Sequence, residues 1–471
     1  MYRAYVTRVT NIRPAENADR LNACEVFGNT TIIDKSITED DTIVYFPSDG
    51  QISVEFGEKN NLFRRKDDAG NNVGGFIDPV KRNITAIRLR GNRSDGLVLP
   101  LSCLNYCYAH GDASIELRVG DVIDGVVNGH DICNKYIPKT NHRQGHVSEG
   151  NRTRKKRVAT APLFAEHADT EQLAYNLGAF KVGDEIEITL KMHGTSQRTG
   201  YLPVLKGYKR TILDRLFRRE GKPIYDWGYV SGTRRVVLEN YEGGFYGDNT
   251  FREQHSKMFE GKLNKGETVY YEVVGFTTSG APIMGSVDNK KMQDKEFIKQ
   301  YGQTTVFSYG CSPDGNAAYI LRPTGTIFVE EGLPQSDIYV YRMTMTNEDG
   351  FVVEYTPDFM RYRCEQMGVK CVPVFFRGRI PEACEDEDLL DIGVIGEPGQ
   401  WVQEVAEDYY DGADPIGKTH IREGVVVRII NRPKFCAYKL KNFAFKCLEG
   451  LVKVEATEPD IEEAQEILDE Q

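Results

Sequence analysis

Apolar and polar positions alternate in short runs along most of this chain. Between residues 1 and 135 the runs are Ala4–Val9, Ala23–Phe27, Thr42–Phe46, Ile84–Leu89, Leu97–Leu101 and Val122–Val127. Turn residues such as Gly28-Asn29, Asp49-Gly50 and Gly91-Asn92 separate them. Period-two alternation at that spacing predicts a compact all-β unit, and an OB-like β-barrel is the preferred form. Residues 57–83 are polar and Gly-rich, which predicts a long loop. Residues 136–160 lack apolar periodicity and read as a basic linker.

From 161 to 454 strands dominate again. The clearest are Glu185–Leu190, Val269–Phe276, Thr305–Tyr309, Ile338–Met345, Gly424–Ile430 and Ala437–Lys441. Two stretches there predict helices: a short one over Thr170–Leu177, and Thr356–Gly368, where Thr356 offers a cap and Pro357 suits the first helical position. In Asp460–Asp469 a stripe of Ile461, Ala464, Ile467 and Leu468 makes 455–471 an acidic C-terminal helix. The chain is therefore expected to be α+β, with a β-barrel unit ahead of a larger mixed domain.

Composition narrows the class. With 40% hydrophobic and 27% charged residues, the 471-residue chain has the profile of a globular protein. No apolar run is long enough to span a bilayer, so no membrane partner is expected. The ten cysteines show no CxxC pair and no Cys/His cluster at zinc spacing; reduced, mostly buried thiols suit a cytoplasmic location. The net charge of −11 argues at first against a nucleic-acid partner, but eight of the acids fall in Glu455–Gln471, where there is no base. Lys139–Arg157 holds seven Lys/Arg against one Glu, and Lys206–Lys222 holds seven against two acids. Local basic patches of this kind, rather than the overall sum, make phosphate contacts.

The candidate chemistry centres on Lys191-Met192-His193-Gly194-Thr195-Ser196, which closes the alternating stretch Glu185–Leu190. A lysine at the end of a buried strand, followed by a glycine turn, aims its amine at a pocket and can act as a nucleophile once its charge is suppressed. Downstream come SGTRR (231–235), YYEVVGF (270–276), IYVYRM (338–343), REGVVVRI (422–429) and YKLKN (438–442). Lys439 and Lys441, two apart, share one strand face, where a phosphate chain is the natural counter-anion.

In order and content these segments resemble the motifs of covalent nucleotidyltransferases, specifically ATP-dependent RNA ligases. KMHGTS is similar to their nucleophile motif, and His193 in place of the more common Asp resembles the RNA ligase 2-type subgroup. The resemblance implies an N-terminal OB-like β-barrel followed by a nucleotidyltransferase domain of ATP-grasp-like antiparallel sheets plus helices. It implies a ligase that joins RNA 5′-phosphate and 3′-hydroxyl ends through lysyl-AMP, with ATP and Mg²⁺ or Mn²⁺ as cofactors. Nicked duplex RNA is among the possible substrates, and the oligomeric state is left open.

Carried onto this chain, Lys191 is the nucleophile. His193 and Gly194 lie on the nucleotide turn. Arg234, with Arg235 as rival, contacts phosphate or ribose, and Glu272 accepts from the ribose hydroxyls. Tyr341, with Tyr339 as rival, stacks on adenine. Glu423 holds the metal, and Lys439 and Lys441 bind the α-phosphate and stabilise its transition-state charge. Lys446 is a further phosphate candidate.

The rival readings are a DNA ligase, a capping enzyme, or a non-catalytic RNA-binding protein with a degenerate core. DNA ligases and capping enzymes usually carry a C-terminal OB domain, whereas about 30 residues follow YKLKN. Retention of Lys191, Glu272, Glu423, Lys439 and Lys441 together argues against a retired core.

Overall fold

The computed structural model describes residues 2–16, 18, 21–66, 74–89, 92–136, 160–212, 214, 221–238, 241, 249–278, 282–292, 294–306, 319–321, 327–329, 336–381, 397–416 and 420–455. They divide into two compact units. The first takes the described residues up to 136 together with those of 287–303 and 443–455, and the second takes those of 160–286 and 304–442.

In the first unit β1 (Ala4–Thr7), β2 (Ile43–Phe46), β3 (Leu97–Pro100) and β4 (Val122–Ile123) form an antiparallel sheet in the order β3-β2-β1-β4. The central strand β2 reads IVYF, and all four side chains are buried. A strand covered on both faces carries an apolar run rather than an alternation. Phe46, Ile52, Phe56, Leu104 and Ile132 form the fully buried centre of this unit's core. A three-stranded meander (Thr10–Pro14, Leu21–Val26, Asn29–Asp34) and smaller pairs complete it. Among the described residues these sheets do not join into one closed barrel. The helix Phe443–Glu455 also belongs here. Its Lys446 is not presented to a phosphate site: the ammonium pairs with Asp95 and lies 3.3 Å from Asn29 Oδ1.

The second unit contains β5 (Glu171–Gln172), β6 (Glu185–Leu190), β7 (Thr195–Lys209), β8 (Lys222–Gly232), β9 (Glu267–Gly275), β10 (Ser336–Thr346), β11 (Val352–Glu354), β12 (Lys370–Cys371), β13 (Val374–Arg379), β14 (Gly424–Ile429) and β15 (Ala437–Lys441). One sheet runs β5-β15-β14-β6-β13, the other β8-β7-β9-β10-β11 with β12 beside β10. Only β5/β15 and β10/β12 are parallel among these pairs. Register follows burial. Ile186, Ile188 and Leu190 of β6 stand opposite Ile429, Val427 and Val425 of β14, and all six are buried. A slip of one residue would turn every one of these side chains to the other face.

The helix Pro357–Met367 forms as its sequence predicts: the Thr356 side chain accepts from the Phe359 amide, and Gly368 closes it in the left-handed region. The helix expected over Thr170–Leu177 does not form. Glu171–Gln172 pair in parallel with Tyr438–Lys439, and two single 3-10 turns follow. The basic stretch Lys206–Lys222 spans the end of the β7–β8 hairpin, which pairs from Arg198↔Gly232 to Lys209↔Lys222. Arg215, Arg218 and Arg219, the linker 137–159 and the helix expected over 460–469 lie outside the described residues.

Candidate active site

The three central strands of the first sheet bring their functional residues together by register alone. Leu190 stands opposite Val425, and Gly424 opposite Lys441. The first residue beyond β6, Lys191, donates its amide to the Gly424 carbonyl at 3.0 Å. Lys191, Glu423 and Lys441 therefore meet at one end of three adjacent strands. The Lys191 ammonium lies 2.7 Å and that of Lys441 3.2 Å from Glu423 Oε1. His193 Nδ1 is 3.5 Å from Glu423 Oε2, too far for a strong hydrogen bond.

Glu423 is only 2% exposed. Burial by itself would raise its carboxyl pKa, but the adjacent Lys191 and Lys441 ammoniums hold it well below the usual carboxylate range. Among the described residues Oε2 is a buried acceptor with no closely placed donor, His193 lying at 3.5 Å. That is the feature a metal ligand requires. Among the described residues no three His, Cys, Asp or Glu side chains converge as a cation cage. One carboxylate is nonetheless what a hydrated Mg²⁺ or Mn²⁺ shared with substrate phosphates calls for.

Lys191 and Lys439 line a pocket with Ser196, Arg234, Glu272 and Tyr341. Lys439 lies opposite Val426 on β15, two residues before Lys441 on the same strand face. The other wall comes from the second sheet, where Ser196 of β7, Glu272 of β9 and Tyr339 of β10 stand in one row. Between the pairs Tyr270↔Arg342 and Tyr271↔Val340, Tyr341 is the extra residue of a bulge. Bulges re-aim side chains, but here both tyrosines stay on the Glu272 face, and Tyr341 packs against the cluster that buries Tyr339. Tyr341 enters the pocket and shares a 2.9 Å hydrogen bond with Ser196 Oγ. Tyr339 is buried among Leu190, Met192, Val274 and Val372.

The two arginines also differ in placement. Arg234 lines the pocket and pairs with Asp169 at 2.5 Å, whereas Arg235 is further out, 48% exposed and 3.3 Å from the same carboxylate. The sequence reading missed Asp169, His167 and Arg198. Arg198, 1% exposed, donates to the carbonyls of Thr233 (3.0 Å), Phe164 (3.1 Å), Arg235 (3.2 Å) and Ala165. It thereby ties the segment carrying His167 to the one carrying Arg234. No spacing rule marks such a residue; only its position in an unusually polar strand distinguishes it.

His167 packs edge-on to Tyr341, with centroids 5.4 Å apart. Burial, then the neighbouring Arg234 and Arg342, push its pKa down to about 3. It stays neutral in the fold while its unfolded counterpart takes up a proton below about pH 6.5. Stability therefore falls as pH drops through that value, by up to about 1.4 kcal/mol per pH unit for each such histidine. His167→Asn should flatten the decline between pH 6.5 and 4 in a urea titration series. An unchanged slope would contradict the assignment.

Gly194 serves the site through close approach. An added Cβ would lie 2.4 Å from the Val273 carbonyl oxygen and 3.0 Å from Glu272 Cγ. Gly194→Ala must push β7 away from β9 and displace Glu272. A loss of about 1–3 kcal/mol in stability is expected, with weaker ATP binding in calorimetry. Wild-type behaviour in both measurements would refute this role.

No family model matches the chain, and no curated protein sequence matches it. Solved structures do. A lysine-to-methionine mutant of the Naegleria gruberi RNA ligase with AMP and Mn is 17% identical, covers 94% of this chain and 97% of its own, and has a TM-score of 0.53. The same ligase with PPi gives 17%, 94%, 97% and 0.52. A glutamate-to-alanine mutant with ATP and Mn gives 16%, 94%, 98% and 0.52. The chain thus has the fold of these RNA ligase structures across nearly its whole length.

Proposed function

We propose that the chain is an ATP-dependent RNA ligase that joins 5′-phosphate and 3′-hydroxyl ends through a covalent lysyl-AMP. The observation that carries this reading is the meeting of Lys191, Glu423 and Lys441 at one strand-end, beside a pocket holding Lys439, Glu272, Arg234 and Tyr341. The solved ligases that share the fold were studied with ATP, AMP, PPi and Mn, which supports the same chemistry here.

Lys191 Nζ, once it has lost a proton, attacks the α-phosphorus of ATP. A P–N bond forms, the P–O bond to the β-phosphate breaks, and pyrophosphate leaves. A 5′-phosphate oxygen of RNA then attacks the same phosphorus and releases the lysine amine, which recovers a proton. Last, a 3′-hydroxyl attacks the activated 5′-phosphate, loses its proton and expels AMP. Lys439 and Lys441 stabilise charge growing on the phosphoryl oxygens. Glu272 accepts from ribose, Tyr341 stacks on adenine, and Arg234, braced by Asp169, holds phosphate or ribose. A divalent cation at Glu423 would neutralise phosphate charge and disfavour the Lys191 ammonium.

The first unit is read as an OB-like module that binds the RNA on one side of the break, with nicked duplex RNA one of the substrates to be tested. The eight described cysteines are unbridged, which supports a reducing, cytoplasmic setting.

The test has two parts. Protein incubated with α-labelled ATP and Mg²⁺ or Mn²⁺ should retain label. A panel of single strands, nicked duplexes with RNA or DNA on each side, and a cleaved stem-loop should then be sealed selectively. Absence of label with every metal would leave the non-catalytic RNA-binding reading in its place. Sealing of all-DNA nicks alone would make the chain a DNA ligase.

A further inference from the structure

The β7–β8 ribbon carries an aromatic stripe that the nucleotide pocket does not use. Register places Tyr201 opposite Tyr229, Pro203 opposite Trp227, Leu205 opposite Tyr225 and Tyr208 opposite Pro223. Alternation on a two-stranded ribbon would normally put Tyr208 on the other face from Leu205. The bulge between Leu205 and Gly207 inserts Lys206 and returns Tyr208 to the same side as Tyr225 and Trp227.

Three of its rings are in contact. The Tyr201 and Tyr229 rings stack at 4.7 Å with planes 25° apart, and Tyr201 lies 5.9 Å from Trp227. Tyr201, Tyr225, Trp227 and Tyr229 are half-buried, and Tyr208 is exposed. Lys265 Nζ lies 5.2 Å over the Trp227 ring, and the exposed Lys209 and Lys222, paired across the ribbon one step beyond Tyr208 and Pro223, turn to its other face. Tyr201 lies five residues beyond Ser196, roughly 17 Å along an extended strand, and on the opposite face from it. The stripe is therefore separate from the pocket.

We infer that this ribbon is a binding platform for unpaired RNA, its rings stacking on bases and its lysines meeting the backbone. Rings with accessible faces accept any base, and flanking lysines follow phosphates; the combination suits a single strand without sequence preference. Cross-strand packing alone explains ring pairs, but it gives no reason for a lysine over the Trp227 ring and two more where the stripe ends. The inference rests on the RNA-ligase reading and names the form of RNA that the enzyme holds away from the reacting ends.

The chain has two tryptophans, Trp227 and Trp401, so Trp401→Phe leaves Trp227 as the only tryptophan reporter in the full-length protein. Titration with a 12-nucleotide oligouridylate should quench its emission saturably, while a blunt RNA duplex should not. Tyr225→Ala with Trp227→Ala should weaken oligouridylate binding about tenfold and leave covalent AMP formation unchanged. Trp227→Phe should restore most of the affinity. Lys222→Glu and Lys265→Glu, surface changes that spare the rings, should weaken binding and reduce its salt dependence. A silent Trp227 with unchanged affinity in these variants would overturn the inference, even if the protein labels and ligates normally. Quenching in a protein that never takes up AMP would uphold the platform and reject the ligase reading.

Discussion

Lys191→Ala should take up no AMP. With α-labelled ATP and either metal, the variant is expected to lose labelling by at least ~10³-fold, about 4 kcal/mol of barrier, because no other amine stands in the same place. Lys441 is held against Glu423 and is 9% exposed. Lys439 lines the pocket from β15, separated by β14 from the strand whose end carries Lys191. The decisive companion experiment supplies RNA already carrying a 5′-adenylate. Its sealing does not involve attack by the lysine, so Lys191→Ala should join such ends at a rate comparable to wild type. Loss of both activities would show that the side chain holds the site together rather than reacting. Retention of label would transfer the nucleophile elsewhere.

Glu423→Gln should fail more broadly. The substitution removes the charge that faces Lys191, Lys441 and His193. Breaking a buried pair from one side costs about 3–5 kcal/mol. The lower end is expected here, because Lys191 is 23% exposed and can turn toward water. Labelling should disappear, and sealing of pre-adenylylated RNA should fall with it, which distinguishes this change from Lys191→Ala.

The pH dependence has a definite sign. The folded-state pKa of Glu423 lies below its unfolded value. Between the two, the unfolded chain binds the extra proton, so the stabilising contribution is full above about pH 4.3 and is lost as pH falls further. Wild type and Glu423→Gln should differ in denaturant midpoint at pH 7 and converge below pH 4. A constant gap down to pH 3 would mean that the carboxylate is not the source of the stability.

Much of the second unit was legible because its strands alternate and bury one side. Glu185–Leu190 and Ala437–Lys441 have the bounds that their patterns predict. Strand β7 was not legible for the opposite reason. Thr195, Ser196, Gln197, Arg198 and Thr199 are five consecutive polar residues, and all are buried. Their partners come from distant segments: Gln197 donates to Ser231 and to the Arg252 carbonyl, and Thr199 meets the Tyr271 hydroxyl at 2.9 Å. A buried polar strand gives no hydrophobic period to read.

Candidate site residues were legible as motifs, but choices within a motif were not. Tyr341 lines the pocket while Tyr339 is buried beside it, and Arg234 lines it while Arg235 is half exposed. Neither is encoded in local spacing. Lys446 shows the same: its neighbours in sequence say nothing about Asp95, 351 positions away.

One rung of the first sheet has a mechanical consequence. Lys191 hangs by its amide from the Gly424 carbonyl, and the carboxylate paired with its ammonium belongs to the preceding residue. A side chain at Gly424 would meet the Leu440 oxygen at 2.0 Å, so this rung cannot be padded or loosened. A substitution at Gly424 should therefore disturb this rung and the Lys191–Glu423 pair together.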